Sequence, residues 1–301
     1  MKKILVILTG GTIGSSLKDN YISVNSDDKK YKIIELYKKK FPNFSSETVF
    51  LTSEPYTILS ENLSGKYINS LIECVKNALK DNPDGIIITH GTDTLQYSAA
   101  AIGLVFNKIN IPVIFVSSNY ILDDKRANGL TNFALAVNYI NSEKSCGVFV
   151  SYDGKITDSL SLLNHLSFSD KLFSLDTNGL EQVDFLIDKN AYGNISLTDT
   201  SPVLYIKAVP GQVYPDIDKE HIKAVLLETY HSGTLCTESQ GIMNFCETAY
   251  TSGIPIYVVG MEERAQYQST SLYNKLHFIV LKKISPVTAY MTLWFKYSIS
   301  E

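Results

Sequence analysis

The sequence predicts an α/β fold: a larger N-terminal, doubly wound and mostly parallel sheet, then a smaller C-terminal α/β domain. Three observations predict it. Short apolar runs recur without polar alternation, which suits parallel strands covered on both faces. Helical patterns with one apolar face alternate with these runs, and such alternation argues for a doubly wound sheet. Between Leu180 and Ser201 the pattern fades into Asp, Asn, Gly and Thr, then resumes. The expected boundaries are therefore 1–180 for the N-terminal domain, 181–201 for a linker and 202–301 for the C-terminal domain.

Ile4–Leu8 reads as the first buried strand, followed by Val49–Thr52, Ile86–Thr89, Val113–Val116 and Val148–Val150. Between them, Ser64–Lys80 places Ile68, Leu71, Ile72, Val75 and Leu79 on one helix face, with Ser64 as the N-cap. Thr92–Phe106 and Arg126–Ile140 have the same character. Beyond the linker come strands Val203–Ala208 and Ala224–Leu227, a helix near Ser239–Thr251 and strand Ile256–Val259. Ser285-Pro286 starts a final helix, Val287–Phe295, with proline at an early helical position. The sequence shows no internal repeat and no low-complexity segment.

The 301 residues suffice for two domains, each with its own core. A composition of 45% hydrophobic and 19% charged residues argues against disorder and against a membrane protein. With 27 Lys+Arg against 31 Asp+Glu no basic surface dominates, so a nucleic-acid partner is not indicated. The run Lys38–Lys40 reads as the solvated end of a helix. No apolar stretch reaches the roughly 18 residues that would span a bilayer. The apolar run after Met1-Lys2-Lys3 stops at Thr9-Gly10-Gly11, too soon for the core of a signal peptide. Cys74, Cys146, Cys236 and Cys246 form no Cys-x-x-Cys pair; four free, mostly buried thiols fit a reducing compartment, and the protein is read as cytoplasmic.

Two motifs carry the chemistry. Thr9-Gly10-Gly11-Thr12-Ile13-Gly14 follows the first strand, where ligands bind in open parallel sheets. Its glycines let the backbone turn tightly and offer bare N–H groups. The spacing is neither that of a dinucleotide fingerprint nor that of a phosphate loop. Thr89-His90-Gly91-Thr92-Asp93-Thr94 follows the third strand and opens a helix, where Asp93 could also serve as an N-cap. A hydroxyl beside a carboxylate is the minimum for relayed activation of a nucleophile. Two such loops, both at strand ends, can converge on one sheet edge.

Together the motifs resemble the paired signature of the bacterial L-asparaginases, Thr-Gly-Gly-Thr-Ile and His-Gly-Thr-Asp-Thr. Leu95-Gln96-Tyr97-Ser98-Ala99-Ala100-Ala101, and Ser285-Pro286-Val287-Thr288-Ala289 with Leu293-Trp294, resemble the shorter cytoplasmic type I members more than the exported ones. The resemblance implies an amidohydrolase acting on a small amino-acid amide, with no metal or organic cofactor and assembly into a homodimer or homotetramer. It implies Thr12 as nucleophile, Tyr21 against its hydroxyl in a lid formed by Ser15–Lys30, and Thr92 and Asp93 as the activating pair. Ser60 and Glu61 would bind the substrate's α-carboxylate and amino group, while the backbone around Ser117-Ser118 would line the leaving-amide side. Backbone N–H groups of the turns at Gly11 and Gly91 are the natural oxyanion donors, being oriented before reaction.

The resemblance breaks at one place. Members of the family carry a lysine that completes a Thr-Lys-Asp group, and an ungapped match over Gly147–Asn164 puts Asn164 there, with Ser161 where a basic residue is usual. His165 is the nearest substitute by position and reads better as structural. Two alternatives to asparagine hydrolysis therefore stay open: a ligand-binding or regulatory homologue without turnover, and an amidase for a different amide.

Overall fold

The computed structural model describes residues 1–24, 31–142, 145–167, 169–188, 192–261 and 267–299. The chain divides into two compact units, Met1–Ser174 and Leu175–Glu301. The first contains β1 (Lys2–Leu8), β2 (Ser16–Lys18), β3 (Tyr21–Ser23), α1 (Lys32–Lys40), α2 (Pro42–Ser45), β4 (Thr48–Ser53) and α3 (Gly65–Leu79). It continues with β5 (Gly85–Thr89), α4 (Leu95–Val105), β6 (Pro112–Val116), α5 (Gly129–Asn141), β7 (Gly147–Tyr152) and β8 (Lys155–Asp158).

The main sheet has the order β4-β1-β5-β6-β7-β8. Its first five strands are parallel and β8 is antiparallel to β7. The continuous apolar runs are explained by burial: every residue of β5 and β6 is inside. One core cluster packs Ile4, Val6, Ile87, Ile114 and Val116 against Ile33 and Tyr37 of α1 and Phe133 and Val137 of α5. The winding reverses once: from β1 the chain steps outward to β4, returns across β1 to β5, then proceeds to β6 and β7.

The second unit contains α6 (Leu180–Leu186), β9 (Val203–Lys207), β10 (Ala224–Glu228), α7 (Gln240–Thr251), β11 (Ile256–Met261), β12 (Phe278–Lys282) and α8 (Pro286–Tyr297). Its four strands are parallel in the order β12-β11-β10-β9, wound in one direction. Ser239 and Ser285 cap α7 and α8: each hydroxyl accepts from a backbone N–H three residues on, at 3.4 and 3.0 Å. Pro286 occupies the first turn of α8, where its missing N–H costs nothing.

Three expectations are corrected. The units divide after Ser174, and the stretch expected as a linker, 181–201, belongs to the second unit. It carries most of α6, with Val183 and Leu186 buried, and the fully buried Tyr192. Its polar composition hid a short helix held by two apolar anchors. Of the four free cysteines only Cys246 is buried; Cys74 is half-buried, while Cys146 and Cys236 are exposed, in loops outside the helices and strands. Helix α4 begins at Leu95 rather than Thr92, because residues 91–94 are drawn into a loop. Among the described residues, no helix is long and apolar enough to cross a membrane.

Candidate active site

The two motifs leave the sheet side by side. β1 and β5 are neighbours with Leu8 opposite Thr89, so both loops begin at the same level. This is also where the winding reverses; crossovers leave to opposite sides there and open a crevice beyond the strand ends. Thr9 Oγ1 donates to the carbonyl of Thr89 at 2.7 Å, tying the first loop to the second. A third arm follows β4: Gly11 N donates to Ile58 O at 2.9 Å, and Ile58 N to Thr9 O at 3.1 Å.

Glycine is required where these arms meet. Gly11 has φ 69° and ψ −178°, a region closed to residues with a side chain. A Cβ placed on Gly11 would lie 2.3 Å from both Cα and N of Gly91, and one placed on Gly91 would lie 2.3 Å from Ser60 Oγ. The two loops are therefore in backbone contact, with Ser60 against their junction. Two bare Cα atoms thus bring together the backbone just before Thr12 and just before Thr92, the next residues along each loop.

Thr12 opens a single 3-10 turn, Thr12–Gly14, pinned by the buried Ile13 and by Ser15 Oγ donating to Gly11 O at 2.7 Å. Thr12 and Thr92 are half-buried, whereas Asp93 is exposed. Ser60, only 4% exposed, donates to Asp93 Oδ2 across 3.4 Å. Asp93 does not cap α4; Thr94 stands at the cap position, and its hydroxyl donates to Ser60 O at 2.8 Å. Ser60 and Glu61 lie in a short 3-10 turn, Ser60–Asn62, with the Glu61 side chain exposed beside it.

Gly11, Thr12, Ser60, Gly91, Thr92 and Asp93 thus share one junction. One expected side chain stands elsewhere, and the hydroxyl of another expected member is taken up in a turn. Tyr21 lies on β3 of the β2–β3 hairpin, paired with Lys18, and is 77% exposed, so its ring faces solvent rather than the Thr12 hydroxyl. Part of the expected lid, 25–30, lies outside the described residues. Ser118 is fully buried, and its hydroxyl donates to Tyr120 O at 2.6 Å and accepts from Gly129 N at 3.1 Å. That hydroxyl holds the turn into α5.

At the position matched to the lysine, Asn164 Oδ1 accepts from Tyr97 Oη at 2.8 Å. The neighbouring His165 bonds through Nε2 to Ser169 O at 2.9 Å and packs edge-on against Tyr152, a structural placement. A residue that stands in the second motif but was given no role there is His90, just past the end of β5. Burial holds its imidazole uncharged, with the pKa lowered from 6.5 to about 4. Its signal was readable: a histidine at a strand end, followed eight residues later by Ser98 on the buried side of α4.

A mostly parallel sheet with hydroxyl-bearing glycine loops joined at its winding reversal defines the class, an α/β fold of the asparaginase type. The chain belongs to the asparaginase family: the family model described as "Asparaginase, N-terminal" matches residues 3–174. One of the subunits of the glutamyl-tRNA(Gln) amidotransferase from Methanococcus maripaludis is 28% identical over 233 residues, covering 76% of this chain and 51% of the relative. Its namesake from Sulfolobus acidocaldarius is 30% identical over 201 residues, covering 62% and 43%. The chain spans about half the length of these curated relatives. Among solved structures, the L-asparaginase of Thermococcus kodakarensis has a TM-score of 0.73 at 18% identity, covering 99% of this chain and 93% of that one. L-asparaginase I of Vibrio cholerae has a TM-score of 0.74 at 19% identity, covering 100% and 94%. At such identities the likeness is one of fold.

Proposed function

We propose that this protein hydrolyses the side-chain amide of L-asparagine, or of a related small amino-acid amide, to the acid and ammonia, with Thr12 as nucleophile. The observation that carries the reading is the Gly11–Gly91 contact, which joins the loop bearing Thr12 to the loop bearing Thr92 and Asp93. Thr12 Oγ attacks the amide carbonyl as its proton passes toward Thr92 and Asp93. Backbone N–H groups of the glycine turns steady the oxyanion, already oriented before charge develops. Collapse expels the nitrogen, protonated as ammonia, and leaves an ester on Thr12. Water then cleaves the ester and restores the hydroxyl.

Ser60, Glu61 and Asp93 hold the substrate's α-carboxylate and amino group in this reading, the backbone at Ser118 faces the departing amide, and neither metal nor organic cofactor takes part. Tyr21 joins the site only when the β2–β3 hairpin folds inward; a lone two-stranded hairpin is marginal by itself, which suits a lid. The curated relatives are named amidotransferases, and release of nitrogen from an amide is the step that name shares with asparaginase. A cytoplasmic homodimer or homotetramer, binding neither nucleic acid nor membrane, completes the proposal.

One observation favours a second reading, a homologue that binds without turnover. Asn164, engaged by Tyr97, can hydrogen-bond but cannot take up or release a proton as a lysine can. Loss of a placed acid–base group costs on the order of 10²–10⁴ in rate. Ammonia release from L-asparagine by purified protein, with Thr12→Ala as control, separates the readings. Release that disappears in the variant supports hydrolysis. Silence, with aspartate still raising the melting temperature, supports binding alone, and silence without any such shift across a panel of small amides sinks both.

A further inference from the structure

The loop bearing Thr92 and Asp93 is held from beneath by a buried polar chain. His90 N donates to Val116 O at 2.9 Å, extending the β5–β6 pairing one residue past the strand. Its ring turns back so that Nδ1 meets Gly91 O at 2.9 Å, while Nε2 meets Ser98 Oγ in α4 at 2.8 Å. A carbonyl only accepts, so Nδ1 carries the proton and Nε2 accepts from the serine hydroxyl. The His90 carbonyl accepts from Ser117 Oγ at 2.7 Å, and Ser117 O accepts from Asn132 Nδ2 at 3.0 Å. Ser151 Oγ donates to Asn132 O at 2.8 Å, which closes the chain at the end of β7. His90, Ser98, Ser117, Asn132 and Ser151 are each at most 1% exposed. Bonded to one another in this way, with Asn132 Oδ1 the one side-chain atom among them left without a bond, these buried groups restrain one another's geometry.

We propose that His90 is a positioning residue of the amide-cleaving site: clamped between the Gly91 carbonyl and Ser98, it fixes the Gly91 peptide against Gly11 and so sets the approach of Thr12 to Thr92 and Asp93. This rests on reading Thr12 and Asp93 as reacting groups. Both ring nitrogens are engaged and the ring is sealed from solvent, so His90 carries no proton to or from substrate.

Steady-state kinetics of His90→Phe and His90→Asn, with amide hydrogen exchange at residues 92–94, test the clamp. In His90→Phe, kcat is expected to fall about 10²-fold, the size of a one-ångström misplacement, with KM much less changed. Asn carries a donor where Nδ1 stood, so His90→Asn recovers most of the loss and keeps the wild-type pH profile of kcat/KM. Exchange at 92–94 quickens in His90→Phe, returns toward normal in His90→Asn, and is unchanged in β10 throughout. If His90→Phe does not fold, Ser98→Ala replaces it, with a several-fold fall in kcat expected. Equal impairment of the Asn and Phe variants, unchanged kcat in a folded Phe or Ser98→Ala variant, or loss of a pH limb in His90→Asn overturns the proposal. A wild type that releases no ammonia from any amide sinks the reading of Thr12 instead, and the exchange rates then decide the clamp alone.

Discussion

The two sheets of this chain are made of similar parallel strands and differ in how the chain winds through them. In the first unit the path reverses between β4 and β5, and the two threonine loops meet beyond the strands on either side of that reversal. In the second, β9 to β12 follow one another in order, with no reversal and so no crevice of that kind. The same contrast recurs at single residues. Gly11 and Gly211 share a φ of 69°, but a Cβ on Gly11 would strike the Gly91 backbone, whereas one on Gly211 would meet nothing within 4 Å. Left-handed Gly211 serves a turn; left-handed Gly11 lets two chain segments touch. Winding, more than strand composition, decides which sheet edge can hold a site.

That contrast can be broken in several ways, ordered here by expected effect. The largest is acid stability. The folded state refuses a proton at His90 until about pH 4, while the unfolded chain accepts one near 6.5. Stability is therefore whole above pH 6.5 and declines as pH falls through that window, by up to about 3 kcal/mol. Thermal melts between about pH 7 and 4.5 should show this decline for the wild type and a shallower one for His90→Asn; parallel curves would contradict it.

Next is Gly11→Ala, which must part the loops or strain a backbone reserved for glycine. Turnover should fall about 10²-fold even in folded protein, and unchanged kcat would show that the contact does not set the site. Asn164→Lys is expected to raise turnover about tenfold if position 164 is that of the family's lysine, since it restores a group able to exchange protons and the change acts on an acid–base step. Equal or lower activity would mean that Asn164 does not stand at the lysine's position. The smallest effect belongs to the second unit. Gly211→Ala carries only left-handed strain, about 1–2 kcal/mol, and should lower the melting temperature by a few degrees without touching turnover.

Much of the first unit was legible because β1, β5, β6 and β7 sit inside the sheet, where burial writes continuous apolar runs. The two threonine loops were legible for a related reason: glycines at strand ends are costly unless the backbone needs them. The β2–β3 hairpin was not, since Leu17 and Ile22 pair across it yet remain exposed, leaving no alternation to read. Strand β8 offers a single apolar residue, Ile156, and α6 is too short to show a helical period. Within the site, Ser60 and Asp93 were found by motif, but the hidden work of Ser118 and His90 was not. Their hydrogen bonds reach backbone groups and a helix several residues away, and those partners exist only once the turns have formed.

The central claim, that Thr12 is the residue to which the acyl group passes, is tested most directly by trapping that intermediate. Protein mixed with L-asparagine is quenched rapidly in acid, digested, and its peptides fragmented in the mass spectrometer. An aspartyl ester located on Thr12 in the peptide Ile4–Lys18, absent from Thr12→Ala, is the expected result. Ammonia release with the ester on Thr92, or with release retained in Thr12→Ala, would contradict it.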